Sequence, residues 1–174
     1  MKVLILEKNS IVKKVLLALL FLGISLVLPQ ILHFVPIGNL GKILLPINFS
    51  IILAGMLLEA SSGLFLGITS PLFSYLFFNM PNKILLPVLM IECIFLGIIS
   101  GYLKDKISNK FLTVILTLVL GIIMSFLVIF IGQNYFPNLK PSILINMLKN
   151  GIPGMILQVL LIPALVDKIN KIIK

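Results

Sequence analysis

The sequence predicts an all-α integral membrane protein, a single domain (1–174) built as a bundle of six transmembrane helices. Three observations predict this fold. Of the 174 residues, 60% are hydrophobic and only 11% are charged, and the mean hydropathy of +1.23 lies far outside the range of soluble globular chains. Six apolar stretches approach or reach the length needed to cross a hydrocarbon core about 30 Å thick. The lysines, finally, are distributed unequally between the predicted loops.

The six apolar stretches are separated by short loops, and only the fourth contains an acidic residue, Glu92. In chain order they are Ile11–Leu28, Leu44–Leu58, Gly63–Phe78, Ile84–Leu103, Phe111–Ile131 and Gly151–Val166. The four residues Glu59–Ser62 separate the second stretch from the third, so we expect a tight turn there. An amphipathic segment, Ser142–Asn150, precedes the sixth stretch and is expected to lead into it.

The lysines predict the orientation, because short lysine-rich loops remain on the cytoplasmic side during insertion. Ten lysines lie before or in the first turn of the first stretch, between the fourth and fifth, or after the sixth: Lys2, Lys8, Lys13, Lys14, Lys104, Lys106, Lys110, Lys168, Lys171 and Lys174. Four lie in the opposite loops: Lys42, Lys83, Lys140 and Lys149. We therefore expect both termini in the cytoplasm of a bacterial-type plasma membrane. The net charge of +9 is explained by this topology and by contact with anionic lipid, not by nucleic-acid binding.

The sequence lacks the motifs of the common enzymes. There is one histidine, no HExxH motif and no GxSxG elbow, and the run Gly38–Ile43 lacks the spacing and the Ser or Thr of a phosphate-binding loop. The single cysteine, Cys93, excludes an internal disulfide and a cysteine metal cluster. No small-x-small cleavage pattern follows the first apolar stretch, which we expect to be a retained helix. We predict no catalytic residue, no bound metal and no cofactor, so any ATP-driven work falls to a partner.

Glu92 is the strongest functional clue, because an ionisable side chain inside the bilayer is costly unless it is paired or faces a hydrated cavity. We expect it to point into the bundle, toward a water-reachable hollow near the external surface. The alternative is a structural role, in which the carboxylate only bonds a Ser, Thr or Asn on a neighbouring helix.

Other polar side chains cluster toward the predicted outer ends of the spans, where a solute arriving from outside would meet them. A ligand pocket needs an apolar lining with a few well-placed donors and acceptors, and several non-adjacent segments supply both. With Glu92, the predicted binding residues are His33, Asn48, Asn79, Gln133, Asn134, Asn150 and Gln158. Each of them alone could equally be a loop or cap residue.

Four groups of segments combine Pro, Gly and polar residues at spacings that are typical of a known family. They are His33–Pro36 with Leu45–Ser50 and Leu53–Gly55; Gly63–Gly67 with Ser70–Leu72 and Asn79–Pro81; Glu92 with Gly97 and Gly101–Tyr102; and Gly151–Gly154 with Gln158 and Ile162–Pro163. In these segments, which cover roughly residues 33 to 103 and 151 to 166, the chain resembles the substrate-binding S components of energy-coupling factor (ECF) vitamin transporters. Asn79 departs from the pattern, since the family usually has Gly there.

The resemblance implies a six-helix subunit, not an enzyme, that captures a vitamin or related micronutrient and docks a transmembrane T component with two cytosolic ATPase subunits. It implies a pocket between spans four, five and six. It also implies a docking motif of small residues on the first span, here represented imperfectly by Ala18, Leu22, Gly23 and Ser25. Pantothenate and a B6-type or thiamine-like vitamin are the expected substrates: outward lysines favour the first, and Glu92 favours the others.

Two other classes of function fit an apolar bundle. A stand-alone secondary transporter should contain internal repeats with broken helices at matching positions, and the two halves of this chain have no convincing similarity. A membrane scaffold without a solute should tolerate loss of Glu92. Copurification of ATPase subunits from the native membrane would favour the ECF interpretation over both alternatives.

Overall fold

The computed structural model of the protein describes residues 2–34, 44–134 and 141–173. Within these residues the chain forms six α-helices and no β-strand, which confirms the predicted all-α class. The helices are α1 (Lys2–Phe34), α2 (Pro46–Leu57), α3 (Ala60–Phe78), α4 (Leu86–Leu103), α5 (Lys110–Gly132) and α6 (Pro141–Ile173).

Five of these helices are long and apolar enough to cross a membrane, and α2 is the exception. It has 12 residues, or about 18 Å of helix, which is less than the hydrocarbon thickness. The predicted second span began at Leu44, but Leu45 adopts a left-handed conformation (φ 48°), so the helix begins only at Pro46. Nine of the 12 residues are buried. Protein rather than lipid surrounds α2, so its length need not match the bilayer.

Helix α6 is longer than the predicted sixth span. The amphipathic segment Ser142–Asn150 and the apolar stretch Gly151–Val166 form one continuous helix of 33 residues, which passes through Pro153 and Pro163. A proline removes one backbone hydrogen bond, a loss that neighbouring groups can compensate within a packed bundle.

Paired contacts fix the relative directions of the helices. Lys14 bonds Glu59, and Ser25 bonds Ser70, and the partners are 45 residues apart in both pairs. Because this offset stays constant along the two helices, α1 and α3 run parallel. Helices α2 and α4 are parallel by the same criterion, with partners 44 residues apart where Asn48 meets Glu92 and a similar offset at Gly55 and Ser100. Short turns connect α2 to α3 and α4 to α5. The chain therefore runs up and down through the bundle.

Glycines bring the backbones of α3 and α4 into direct contact. A Cβ added to Gly63 would lie 2.8 Å from the Cα of Gly97, and one added to Gly67 would lie 2.6 Å from the carbonyl oxygen of Cys93. On α2, a Cβ at Gly55 would lie 2.7 Å from the carbonyl oxygen of Gly97. No larger residue fits at these positions without separating the helices. This glycine seam, formed by Gly55, Gly63, Gly67 and Gly97, fixes the positions of α2, α3 and α4 against one another.

The interior of the bundle contains ten buried polar side chains among its apolar core residues. The buried polar side chains are Ser25, Asn48, Ser50, Ser70, Ser74, Ser100, Thr113, Thr117, Ser125 and Gln158. The outer faces of α1, α5 and α6 consist largely of exposed Leu, Ile, Val and Phe. Such a surface is stable only against lipid or against another membrane protein.

One end of the bundle, here called the lysine-rich end, is defined by Lys14, Lys104 and Lys110. Lys14 donates a hydrogen bond of 3.1 Å to Glu59, and this bond holds the pKa of Glu59 below its usual range. The charge distribution predicts that this end faces the cytoplasm. The other end, where α2 and α4 begin, is called the opposite end and is predicted to face outward.

Candidate functional site

Glu92 lies within the membrane-spanning part of α4, about 9 Å along the helix from its first residue, Leu86. Since α4 begins at the opposite end of the bundle, the carboxylate lies closer to that end than to the lysine-rich end. The side chain is half-buried and points toward α2 and α5. It therefore faces the bundle, as the sequence predicts.

Each oxygen of the Glu92 carboxylate accepts a hydrogen bond from a different helix. Asn48 on α2 donates from Nδ2 to Oε1 over 3.1 Å, and Ser125 on α5 donates from Oγ to Oε2 over 2.8 Å. A carboxylate can accept about four hydrogen bonds, so these two leave acceptor capacity. Both carboxylate oxygens of Glu92 are thus engaged, each by a different neighbouring helix.

The orientation of the Asn48 amide follows from the hydrogen-bonding capacity of its two neighbours, Glu92 and Cys93. A carboxylate only accepts hydrogen bonds, so the amide must present its nitrogen to Glu92. Its oxygen then accepts from the thiol of Cys93, whose Sγ lies 3.6 Å away. Asn48, Glu92, Cys93 and Ser125 form one connected group, here called the Glu92 cluster. All of it is buried except Glu92 itself.

Sequence reasoning missed Ser125 and gave Cys93 no role beyond excluding disulfides. A signal for Ser125 was present, because Thr113, Thr117, Gly121 and Ser125 recur every four residues in an otherwise apolar helix. That spacing places them on one face of α5, and all four are buried. A stripe of small and polar residues marks the face that packs against other helices.

Gln158 on α6 approaches the same end of α2. The residue is 1% exposed, and its Nε2 donates a hydrogen bond of 3.3 Å to the carbonyl of Leu45, just before α2. Its Oε1 is buried without a hydrogen-bond partner among the described residues. A second buried amide that sequence reasoning missed is Gln30 on α1, whose Nε2 likewise has no partner in the described part of the chain. Unpaired buried polar atoms are uncommon and need an explanation, such as a bound ligand or water.

The other predicted binding residues do not join the Glu92 cluster. Asn79 is exposed and ends α3 in a left-handed conformation (φ 54°), the typical position of Asn or Gly after a helix. Gln133 is half-buried, whereas Asn134 and Asn150 are exposed. His33 belongs to the last turn of α1, and its side chain lies outside the described residues, as do the loops 35–43 and 135–140. A binding role for these residues stays a prediction.

The predicted docking residues of α1 lie on different faces. Ala18, Leu22 and Ser25 are buried in the bundle, and Ser25 is hydrogen-bonded to Ser70 on α3 at 2.8 Å. Gly23 is exposed, and a Cβ added there would meet nothing within 4 Å. Only Gly23 of the four is available to a partner on the surface of the bundle.

A cavity of about 290 Å³ opens near Lys104 and Lys110. It belongs to the lysine-rich end and not to the Glu92 cluster. The hollow predicted beside Glu92 stays a prediction, since two of the three loops at the opposite end, 35–43 and 135–140, lie outside the described residues.

Comparison with known proteins identifies one family. The model of the family described as "ECF transporter, substrate-specific component" matches residues 13–166. The match includes Glu92, Asn48, Ser125 and Gln158. Neither the curated proteins nor the solved structures give a significant match to the chain.

Proposed function

Because the chain belongs to the substrate-specific (S) components of ECF transporters, we propose that it captures a water-soluble vitamin or related micronutrient with high affinity at the outer side of the membrane. S components are substrate-binding subunits and not enzymes. The family implies a transmembrane T component and ATPase subunits as partners, and the ATPases supply the ATP hydrolysis. The chain is a multi-pass protein of the plasma membrane.

The Glu92 cluster carries this proposal. An acid within a membrane helix is costly, and the usual reason for keeping one is a ligand, an ion or a proton. Glu92 retains acceptor capacity after bonding Asn48 and Ser125, and it is less buried than the two residues that hold it. The cluster therefore presents a fixed carboxylate, with its geometry set before any ligand arrives.

The chemistry of the cluster favours a ligand that donates hydrogen bonds or carries positive charge. Glu92 is an acceptor, and so is the unpaired Oε1 of Gln158, which lies outside the cluster near Leu45 at the same end of α2. No lysine among the described residues is paired with Glu92. A ligand carboxylate placed here would meet a like charge in a medium of low dielectric constant, which is strongly unfavourable. A B6-type amine or a thiamine-like cation fits these groups better than pantothenate does.

The competing interpretation is that Glu92 only connects helices. This interpretation agrees with the two interhelical hydrogen bonds of Glu92. It would also suit a membrane scaffold that binds no solute. It gives no reason, however, for the unpaired acceptor of Gln158, which is 1% exposed. Ligand capture uses both the charge of Glu92 and this free oxygen.

Thermal unfolding against a panel of vitamins tests the proposal. We expect thiamine or pyridoxamine to raise the melting temperature of the purified protein, because a ligand that binds only the folded state stabilises it by about 2.7 kcal/mol at 100 times its Kd. Pantothenate is expected to produce no comparable shift. A response to pantothenate alone would contradict the ligand class, and no response to any vitamin of the panel would contradict solute capture.

A further inference from the structure

Helix α5 meets α4 in a register that is fixed one turn away from Glu92. Gly121 on α5 leaves no room for a side chain, because a Cβ added there would lie 2.5 Å from a methyl carbon of Leu96 on α4. Leu96 is 1% exposed, so it fills this notch within the packed core. Ser125 lies one turn after Gly121, and Glu92 lies one turn before Leu96. Because α4 and α5 run in opposite directions, the notch brings Ser125 level with Glu92.

The two oxygens of the Glu92 carboxylate are supported unequally. Asn48, the partner of Oε1, lies on α2, which packs against α1, α3, α4 and α6. Its own amide oxygen is held by the thiol of Cys93. Ser125, the partner of Oε2, lies on α5, whose main neighbours among the described residues are α4 and α6. No other described residue donates to Oε2, so the orientation of this oxygen depends on a single hydroxyl.

Ser125 uses its hydroxyl differently from the threonines on the same face of α5. Hydroxyl side chains inside a helix often bond a carbonyl one turn earlier in their own helix. Thr117 does so with the carbonyl of Thr113 at 2.8 Å, and Thr113 does so with the carbonyl of Asn109 at 3.2 Å. All three hydroxyl residues are buried. Ser125 alone among them donates its one hydrogen to another helix, and the acceptor is the carboxylate of Glu92.

We propose that Ser125 is a positioning residue of the vitamin site, whose hydroxyl fixes Oε2 of Glu92 and thereby makes the site favour cationic over neutral vitamins. This inference rests on the proposed function of the Glu92 cluster. A carboxylate held at both oxygens keeps one orientation, so a ligand need not order it on binding. Held at one oxygen only, it can turn about its broad terminal torsion. Charge-assisted hydrogen bonds are the stronger ones, so a cationic ligand loses most when that orientation is lost.

Binding isotherms of Ser125→Ala test this role with two pairs of probes. The pairs are pyridoxamine with pyridoxine, and thiamine with its uncharged 3-deaza analogue. Losing a hydrogen bond to a charged group should weaken binding of the cationic member at least about fivefold, and that of the neutral member less than about twofold. The matched control is Thr117→Val, which removes a buried hydroxyl whose bond stays within α5. It should leave both affinities within about twofold of the wild type, because it touches no group of the cluster.

Infrared difference spectroscopy of the ligand-free protein adds a measurement that needs no vitamin. Subtracting the spectrum of Glu92→Gln isolates the carboxyl band of Glu92. We expect Ser125→Ala to shift this band, because one oxygen loses its donor, and Thr117→Val to leave it in place.

An unshifted band in Ser125→Ala would overturn the inference, and so would equal losses of affinity for the cationic and neutral members of a pair. Failure of the proposed function gives a different result. In that case the wild type binds no member of either pair although the band still shifts, and the role of Ser125 in discrimination falls while its hydrogen bond to Glu92 stands.

Discussion

Replacing Glu92 by Gln is expected to weaken vitamin binding at least tenfold while leaving expression and folding intact. Glutamine has the same shape, so Asn48 can still donate to the remaining oxygen. The hydroxyl of Ser125 can accept from the new amide nitrogen instead of donating. Both interhelical hydrogen bonds survive and only the charge is lost. A tenfold change corresponds to about 1.4 kcal/mol of binding free energy.

Binding isotherms of purified variants measure this effect, and Glu59→Gln is its matched control. The control makes the same chemical change in the turn between α2 and α3, at the lysine-rich end. It should leave the affinity unchanged, because the exposed pair of Lys14 and Glu59 lies far from the cluster. An unchanged affinity in Glu92→Gln would assign Glu92 a structural role.

Replacing Gly97 by Ala is expected to destabilise the whole bundle. The new Cβ would lie 2.9 Å from the Cα of Gly63 and closer still to its carbonyl group. Backbone atoms of a packed helix cannot turn away as a side chain can, so α3 and α4 must separate. Overpacking of this kind costs about 1–3 kcal/mol. The melting temperature in detergent should fall. Vitamin affinity should fall with it, because the seam also fixes α2 against α4, where Asn48 meets Glu92.

Gly23→Ala provides the control for this prediction. It adds the same methyl group to a glycine of α1, where nothing lies within 4 Å. Its melting temperature should match that of the wild type. If Gly97→Ala were equally harmless, the close approach of α3 and α4 would be wrong, and with it the support for the cluster.

The membrane fold was predictable because its signals are compositional. Apolar stretches and lysine counts follow from the cost of exposing polar groups to lipid, and they placed most helices to within a few residues. The exceptions are the two longest helices. Helix α1 runs from Lys2 to Phe34, beyond the predicted Ile11–Leu28 at both ends, and α6 runs from Pro141 to Ile173 because its prolines do not interrupt it. Helix α2 begins two residues after its predicted start because Leu45 adopts a left-handed conformation. None of these ends leaves a clear trace in a hydropathy pattern.

The candidate site was only partly predictable. A single acid in an apolar span identified Glu92, and its need for a partner indicated an inward orientation. Which residues meet it depends on helix register. Asn48 reaches Glu92 because the glycine seam aligns α2 with α4, whereas Asn79 and Asn134 stay at the surface. Amides at helix ends look alike in sequence, because the same residue types serve as caps and as ligand contacts.

Labelling with a hydrophobic carbodiimide, read out by peptide mass spectrometry, tests the central claim on the unaltered protein. Such reagents modify carboxyl groups in apolar surroundings, and Glu92 lies well inside α4 (Leu86–Leu103), whereas Asp167 is exposed near the lysine-rich end of α6. We expect Glu92 to be labelled in the free protein. We expect it to be protected in proportion to occupancy by the vitamin that gives the largest thermal shift. Labelling of Glu92 that is unaffected by saturating vitamin would contradict its role as the group that binds the substrate.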